Sequence, residues 1–441
     1  MTLSTSSDTL AATLRGRLLL PGSVAFDQAA TPWNLAVRQP AAAVVEAADA
    51  DDVVTLVRHA RAEGLAVAAQ STGHGATGDV AGTVLLRTGR LDAVTVDPAA
   101  GTARVGAGAT WAAVQARTAP HGLTGLLGSA PGVGVTGYTL GGGLGWFSRV
   151  HGLAAHRVRS FDVVGADGEP GTVTATSDPD LFWALRGGGG DLAIVTALEI
   201  DLVEVPALTG GGVVWPADRA GAVLDAFREV TASAPRELSV WLTRVEPPGA
   251  PAMVVVRAAY LGDDVAARTL LRPFDAVGGA LTGEVRPVAL ADVGSITADR
   301  PDPTAGLSHA ELLTGVDDDA LTRLLTSPVG PVTVVQLRHL GGALAEADPD
   351  DGATGAITEP YLLYALGLAH APGLAAAVRA RLDRLPDDLA HLATGRRPAT
   401  FLSPGERASA AYSPDALARL QGLKRSRDPH GTIRGAYPLI A

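Results

Sequence analysis

The side chain best placed to do chemistry is that of His74, in the glycine-rich loop Ser71-Thr72-Gly73-His74-Gly75-Ala76-Thr77-Gly78. Backbone N–H groups and hydroxyls in such a loop can cradle an anion. The flanking glycines leave the imidazole ring little shielded and so available for chemistry, whereas a solvated or capping histidine is the alternative interpretation. The other nine histidines form no His-Glu-x-x-His pair, so the sequence predicts no catalytic zinc site.

A second loop concentrates glycine between residues 128 and 145, in the sequence GSAPGVGVTGYTLGGGLG. Gly132, Gly134 and Gly137 match the G-x-G-x-x-G pattern that binds dinucleotides at a strand-to-helix turn. Because further glycines follow at 141–143 and 145 and disfavour a helix, we expect an irregular extended loop with a ligand lying on its backbone. A tightly packed loop without a ligand is the alternative. The four glycines at 187–190 predict a third segment of this kind, or a flexible turn.

Composition excludes several other kinds of chemistry. The chain has 441 residues and no cysteine, which removes disulfides, thiol nucleophiles and iron–sulfur clusters. Lys424 is the only lysine, so a Walker A phosphate site or a Schiff base has a single candidate. The net charge of −11 disfavours binding to nucleic acid. Apolar stretches are too short to cross a membrane and residues 1–8 lack a basic start, so we expect a soluble cytoplasmic protein without membrane or nucleic-acid partners.

Alternating strands and helices between residues 39 and 205 must position these loops. Asp49 or Asp51 is expected to begin a helix that Gly64 ends, and Thr110 to begin a second helix. Strands are expected at residues 41–47, 65–70, 83–87, 93–97, 102–107, 160–166, 172–175 and 193–205.

Past Pro206 the pattern indicates a second α+β domain. Strands are expected at residues 213–215, 238–244, 252–260, 332–339 and 361–368, and helices at 217–231, 264–277, 371–385 and 414–424. The expected domains are therefore residues 1–206, residues 207–394 and a C-terminal segment of residues 395–441.

The glycine loops, in this order and with a histidine in the first, resemble the FAD-linked oxidases of the vanillyl-alcohol-oxidase superfamily. More narrowly, they resemble the berberine-bridge-enzyme-like oxidoreductases. The resemblance covers nearly the whole chain and is carried by QSTGH at 70–74, VGAGATW at 105–111, VGVTGYTLGGGLG at 133–145, DPDLFWALRGGGG at 178–190, and LKR, DP and IR between 423 and 434. It implies an α+β, two-lobed FAD-binding fold of the vanillyl-alcohol-oxidase (PCMH) type. Residues 1–206 and 395–441 would bind FAD, and residues 207–394 would form a substrate domain on an antiparallel sheet covered by helices.

The resemblance also implies which residues bind FAD. His74 matches the family histidine that is bonded to the flavin 8α-methyl carbon, so a covalent 8α-histidyl link is expected. Ala130 stands where many relatives place a cysteine that makes a second link, which leaves His74 as the single attachment. Val133 occupies a position where valine accompanies oxidase activity in relatives. The expected FAD-binding residues are His74, Ser71, Thr72, Gly73, Gly75, Ala130, Val133, Gly134, Gly137, Leu140, Gly141, Gly142, Gly145, Gly189, Ile194, Val195 and Thr400.

Several positions depart from the family pattern. Gln70 replaces an arginine and Thr72 a glycine in the first loop, and residues 191–193 read DLA in place of NFG. The family's C-terminal Y-x-N-F is Pro398-Ala399-Thr400-Phe401 here, without the tyrosine often used near the substrate and without the asparagine. The identity of the catalytic base is therefore open.

A base must then come from the sheet of the second domain. On the strand at 332–339, Gln336 and Arg338 share one face by alternation and His339 takes the other. The candidate catalytic residues are Gln336, Arg338 and Tyr364, with Tyr361 and His370 as further candidates.

The leading hypothesis is an oxidase in which a C–H bond beside oxygen or nitrogen of a small organic substrate delivers hydride to the flavin. Dioxygen would then reoxidise the flavin and release hydrogen peroxide. A flavin-dependent monooxygenase or cyclase of secondary metabolism is the first alternative, and a flavin-binding protein that has lost its activity is the second. The expected partners are a small-molecule substrate and dioxygen, and the expected assembly is a monomer or homodimer.

Overall fold

The computed structural model describes residues 3–299, 301–348 and 351–440. Its first elements are α1 (Leu3–Thr13), β1 (Arg17–Leu19), α2 (Val24–Ala30), β2 (Ala43–Glu46), α3 (Ala50–Glu63), β3 (Val67–Gln70) and β4 (Val84–Arg87). The four strands form a sheet in the order β1-β2-β4-β3, with β4 parallel to both β2 and β3. Asp49 caps α3 and Gly64 ends it in the left-handed conformation, which confirms the predicted helix.

A second sheet follows and holds the glycine-rich segments against a hydrophobic core. Its elements are β5 (Val94–Asp97), β6 (Thr102–Gly106), α4 (Trp111–Thr118), β7 (Leu123–Thr124), α5 (Val135–Leu140), α6 (Ser148–His151), β8 (Val158–Val164), β9 (Pro170–Val173), α7 (Pro179–Leu185), β10 (Ile194–Asp201) and β11 (Val203–Glu204). The antiparallel order is β5-β6-β10-β8-β9, while β11 pairs with β7. Trp111, Phe161 and Leu198 lie in its core.

The segment from 128 to 145 differs from the expected irregular loop, because it contains the short helix α5. This helix begins directly after Gly134 and ends at Gly141, whose N–H bonds to the carbonyl of Gly137 at 3.2 Å. Val135 and Thr139 are buried, and the N–H of Val135 bonds to the carbonyl of Ala109. Tertiary packing therefore holds a helix that the glycine content disfavours.

The third sheet has seven strands, and every pairing in it is antiparallel. Its strand order is β15-β12-β14-β13-β17-β18-β16. The elements of this region are β12 (Thr209–Pro216), α8 (Ala220–Ser233), β13 (Leu238–Val245), β14 (Met253–Tyr260), α9 (Asp264–Val277), β15 (Thr282–Pro287), β16 (Gly306–Leu313), α10 (Asp319–Thr326), β17 (Val334–His339), β18 (Tyr361–Leu368), α11 (Pro372–Leu382) and α12 (Leu385–Asp388).

Alternation along the strands gives this sheet two different faces. Val240, Leu242 and Leu337 pack beneath the helices in one hydrophobic core. Trp241 points the other way and belongs to the core of the N-terminal region. The substrate-domain architecture implied by the resemblance is therefore confirmed: an antiparallel sheet with helices on one face and the other face turned toward the glycine loops.

Neither edge strand of this sheet, β15 or β16, was predicted from the sequence. β15 is exposed and carries glycine, glutamate and arginine, so it shows little apolar alternation. β16 is buried but contains Ser308, His309 and Glu311, which read as polar loop residues in isolation. β1, a short edge strand, was not predicted either.

The C-terminal segment carries α13 (Pro414–Arg427). The strands before residue 206 and those between 209 and 368 form separate sheets. The division into residues 1–206, 207–394 and 395–441 stays a prediction. None of the helices in the described ranges is both long and apolar enough to cross a membrane.

Candidate active site

His74 lies in the loop that follows β3, and its ring has defined neighbours. It stacks on Trp33, with ring centroids 4.4 Å apart and planes 16° apart. Its Nδ1 atom is 2.6 Å from the Oγ1 atom of Thr72. Its Nε2 atom has no hydrogen-bond partner among the described residues. The loop therefore holds the imidazole through one face and one nitrogen and leaves the other nitrogen available.

Burial lowers the pKa of His74 to about 4. The imidazole is therefore neutral near pH 7, as a nitrogen nucleophile must be. Gly73 makes the close approach to Trp33 possible: its φ is +78°, and a Cβ there would lie 3.0 Å from Pro32.

The 128–145 segment lies against this loop and presents unsatisfied polar groups. A Cβ on Gly134 would lie 2.7 Å from the Oγ of Ser71, so the two segments are in close contact. On α5, the Oγ1 atoms of Thr136 and Thr139 and the hydroxyl of Tyr138 are buried without a partner among the described residues. Buried polar atoms are nearly always hydrogen-bonded, so this cluster needs a further partner.

The predicted glycines have two different structural roles. A Cβ on Gly75, Gly132 or Gly137 would meet no atom within 4 Å, so these residues border open space. A Cβ on Gly145 would instead collide with the carbonyl of Leu127, and one on Gly142, whose φ is +99°, would lie 3.2 Å from Thr354 Oγ1. The first group can accommodate a ligand, whereas packing explains the second.

The third glycine segment and the C-terminal segment meet the end of α5. The N–H of Gly189 bonds to the carbonyl of Leu140 at 2.9 Å. The N–H of Thr400 bonds to the carbonyl of Gly141 at 3.2 Å, and the Oγ1 of Thr400 is another buried atom without a partner among the described residues. The structure thus brings together loops that lie far apart in the sequence.

Four other residues predicted to bind the cofactor do not border the open space beside Gly75, Gly132 and Gly137 in the same way. Ile194 and Val195 lie on β10 with side chains in two hydrophobic cores. Ala130 and Val133 lie in the turn before α5, where the carbonyl of Val133 accepts the N–H of Trp111. Any contact of Ile194 or Val195 with a cofactor must therefore pass through the backbone.

The candidate catalytic residues come together on the face of the seven-stranded sheet opposite helices α8 to α12. Gln336 on β17 lies directly opposite Tyr364 on β18, and its Nε2 donates to Thr243 Oγ1 at 3.0 Å. Its Oε1 accepts the Nε–H of Arg338 at 2.6 Å. The predicted trio therefore forms one polar cluster.

Aromatic rings surround Arg338 within this cluster. Its guanidinium carbon lies 4.0 Å from the ring centroid of Trp241, 4.9 Å from that of Phe401 and 5.9 Å from that of Tyr364. Burial lowers the pKa of Arg338 to about 10, so the group stays cationic at neutral pH. The positive charge of Arg338 also lowers the pKa of Tyr138 on α5, although burial outweighs it and leaves that pKa raised. The sheet and α5 are therefore close enough to interact electrostatically.

The other predicted candidates lie elsewhere. His339 faces the opposite side of β17, as predicted, and its Nε2 is 3.0 Å from Arg149 Nη1. Tyr361 faces the helices, with its hydroxyl 2.9 Å from Thr231 Oγ1. His370 is exposed beyond the end of β18. None of these three joins the polar cluster.

Sequence reasoning missed Trp33, Trp241 and Tyr138. Trp241 alternates with Thr243 along β13, so strand periodicity could have placed it on the cluster face. Trp33 lies outside every predicted element and carries no local signal.

These features fit an FAD molecule. The unpartnered atoms of Thr136, Tyr138, Thr139 and Thr400 offer hydrogen bonds, and the glycines at 75, 132 and 137 leave space beside backbone. The polar atoms of a flavin ring and pyrophosphate require such partners. The free Nε2 of His74 adds a position at which the cofactor could be attached.

Comparisons with known proteins agree with an FAD cofactor. A family model described as an FAD binding domain matches residues 41–174. The chain is 37% identical over 206 residues to the FAD-dependent monooxygenase FUP4 of Fusarium proliferatum (strain ET1), a match that covers 46% of this chain but only 40% of the fungal protein. It is 26% identical over 461 residues to the (R)-6-hydroxynicotine oxidase of Paenarthrobacter nicotinovorans, with 96% of each chain covered.

Among solved structures, BBE-like 1 of Physcomitrella patens superposes with a TM-score of 0.87 at 19% identity, covering 98% of both chains. That likeness shows the fold alone. The family model indicates FAD as the cofactor, and the relative that matches over 96% of both chains indicates an oxidoreductase. The chain is therefore an FAD-dependent oxidoreductase with an FAD-binding domain at residues 41–174, and its fold is that of the vanillyl-alcohol-oxidase (PCMH) type.

Proposed function

We propose that the protein is a flavin-dependent oxidase that removes hydride from a C–H bond next to oxygen or nitrogen of a small organic substrate. The observation that carries this proposal is the proximity of two surfaces. A polar cluster on the sheet is formed by Gln336, Arg338 and Tyr364. It lies near the glycine segments, because Arg338 packs on Phe401 and acts on the Tyr138 hydroxyl of α5, while the N–H of Thr400, next to Phe401, bonds to the carbonyl of Gly141. The buried polar atoms of these segments need a partner. A substrate held on the cluster would lie beside a cofactor held on the glycine segments.

Bound FAD would supply the redox chemistry: it would accept the substrate hydride and then reduce dioxygen, and the proton lost from the substrate O–H or N–H group completes the hydrogen peroxide. The protein supplies the substrate site. Arg338 provides a fixed positive charge, and Gln336 holds the guanidinium in place through its Oε1 atom. Burial raises the pKa of Tyr364, so its hydroxyl stays protonated at neutral pH and acts as a hydrogen-bond donor.

We further propose that FAD is attached covalently and once, through His74. The neutral imidazole with its free Nε2 atom supports this role, as does the absence of cysteine anywhere in the chain. Ala130, at the position of a second link in relatives, can form none.

Oxidase activity is favoured by the (R)-6-hydroxynicotine oxidase, which is similar along the whole chain, and by valine at position 133. A monooxygenase is the second candidate, because the more identical FUP4 match bears that name over the FAD-binding part. Hydrogen peroxide formed per dioxygen consumed separates the two: a ratio near one supports the oxidase, and a ratio near zero with an oxygenated product supports the monooxygenase.

Acid precipitation of the purified protein tests the cofactor assignment. The wild-type pellet should stay yellow, and His74→Ala should release all of its flavin into the supernatant. His121→Ala, at an exposed histidine of the same lobe, is the matched control and should behave like wild type. A colourless wild-type pellet over a yellow supernatant would refute the covalent link, and a preparation without any flavin would refute the proposed function itself.

A further inference from the structure

The described part of the chain contains three buried arginines, and two of them have engaged guanidinium groups. Arg244 pairs with Glu246 at 2.7 Å and also donates to the carbonyl of Leu325. Arg149 uses all three of its nitrogens, which contact Leu238, Ala234, Pro235, Leu340 and His339. Such saturation is expected, because a buried charge without partners is costly.

Arg338 is the exception. It is only 7% exposed, yet its single hydrogen bond is from Nε to the Oε1 of Gln336. Neither of its Nη atoms has a hydrogen-bond or ion-pair partner among the described residues. The nearby acidic group that acts on its charge is Asp299, which is exposed and forms no ion pair with it.

The surroundings of Arg338 also limit the shape of a partner. The guanidinium lies over the rings of Trp241 and Phe401, contacts that use the flat faces of the group. The Nη donors lie in the guanidinium plane, so they remain available along its edge. A carboxylate matches that edge with two parallel hydrogen bonds.

We propose that Arg338 binds a carboxylate of the substrate, so that the substrates of this enzyme are small organic acids. This inference rests on the proposed function, because it names the substrate class of the same site. The rings of Trp241 and Phe401 form apolar walls beside the bound carboxylate. Gln336 acts as a positioning residue, since it holds the guanidinium through Nε and is itself held by Thr243.

The test measures ligand binding by the flavin-loaded enzyme without turnover. Benzoate and phenylacetate are compared with benzamide and phenylacetamide, which keep the shape and lack the charge. Binding is followed by the change in the visible absorbance spectrum and, independently, by the shift in thermal unfolding temperature. We expect the acids to bind at least about tenfold more tightly than their amides, which is the lower range for a charge-assisted hydrogen-bonded pair.

Arg338→Met should abolish this preference, and Arg338→Lys, which keeps the charge but loses the planar fork, should retain a reduced one. Arg286→Met, at an exposed arginine on β15, is the control and should bind like wild type. Melting temperatures measured without ligand show whether each variant is folded. If Arg338→Met does not fold, the comparison is made with Arg338→Lys instead.

Two results would overturn the inference: amides that bind wild type as tightly as the acids, or no binding of any acid. An unchanged preference in a folded Arg338→Met protein would overturn it too. These results would leave the proposed function intact. Failure of the proposed function would instead appear in the same spectra as a protein without bound flavin. Thermal shift tests the arginine even in protein without flavin.

Discussion

At the scale of single residues, the proposed attachment of FAD depends on the contact between Thr72 and His74. Nucleophilic attack needs a lone pair on the free Nε2 atom, which requires the proton to sit on Nδ1. The hydroxyl of Thr72, 2.6 Å away, can accept that proton's hydrogen bond and so favours this tautomer. Thr72 stands where the family resemblance implies a glycine.

Thr72→Val should therefore slow covalent attachment of FAD. Loss of one neutral hydrogen bond of about 1 kcal/mol corresponds to a rate roughly fivefold lower. Apo-protein is mixed with FAD, and acid-stable flavin is measured over time; Thr77→Val, in the same loop, serves as control. Because the pKa of His74 is about 4, the rate should not change between pH 6 and 8 on account of this group. Equal rates in Thr72→Val and wild type would refute the role of the hydroxyl.

At the scale of elements, Lys424, the only lysine of the sequence, anchors α13 to Asp191, directly after the third glycine segment. Lys424 Nζ donates to the carbonyl of Asp191 at 2.6 Å, to Asp428 Oδ2 at 2.8 Å and to the carbonyl of Ile433 at 2.6 Å. The carboxylate of Asp191 accepts the N–H groups of Gly435 and Leu439. Burial raises the pKa of Asp191 while Lys424 opposes that shift, so the two buried charges depend on each other.

Lys424→Met should destabilise the protein by about 3–5 kcal/mol, because it leaves buried carboxylates without their cation. Arg425→Met, one residue along on the exposed side of α13, should change the free energy of unfolding by no more than about 0.5 kcal/mol. Denaturant unfolding monitored by tryptophan fluorescence gives both values. Equal effects in the two variants would show that the buried network contributes little.

At the scale of the whole molecule, two groups of contacts join the regions of the chain. The rings of Trp146 and Trp241 stack 3.6 Å apart, which ties the N-terminal region to the seven-stranded sheet. On β16, Glu311 bonds to His309 at 2.9 Å and to Arg397 of the C-terminal segment at 2.6 Å. Glu406 of the same segment lies 3.1 Å from Arg397.

This ionic network predicts a pH dependence of stability. Burial alone would lower the pKa of His309, but hydrogen bonds to Glu311 and Glu406 outweigh it and leave that pKa raised. Because the pKa of His309 is higher in the folded protein than in the unfolded chain, protonation of His309 stabilises the folded state. This stabilisation is complete at pH values below the unfolded-state pKa, near 6.5, and is lost as the pH rises through the folded-state pKa. Loss of the proton from His309 should therefore lower the melting temperature of wild type as the pH rises above about 6.5.

His309→Gln should lower the melting temperature most at pH 6 and progressively less toward pH 9. His391→Gln, at an exposed histidine, is the control and should follow wild type. A constant difference between His309→Gln and wild type across this range would show that His309 does not titrate with folding.

The amino-acid sequence predicted FAD binding and the loops proposed to hold the cofactor, because the information there is local. Runs of glycine, the histidine between them, the missing cysteine at Ala130 and the helix caps at Asp49 and Gly64 each depend on neighbouring residues. The short helix α5 was the exception, since packing against the core overrides its glycine content.

The surroundings of the reactive groups depend on tertiary packing. Strand alternation placed Gln336 and Arg338 on one face, but their relation to Trp241, Tyr364 and Phe401 depends on strand order and on the return of the C-terminal segment. The aromatic rings around Arg338, like Trp33 on His74, come from residues distant in sequence, and the Nη atoms of Arg338 have no partner among the described residues. Local propensity encodes an element and its faces, whereas the partners of a buried charge are fixed by which elements pack together.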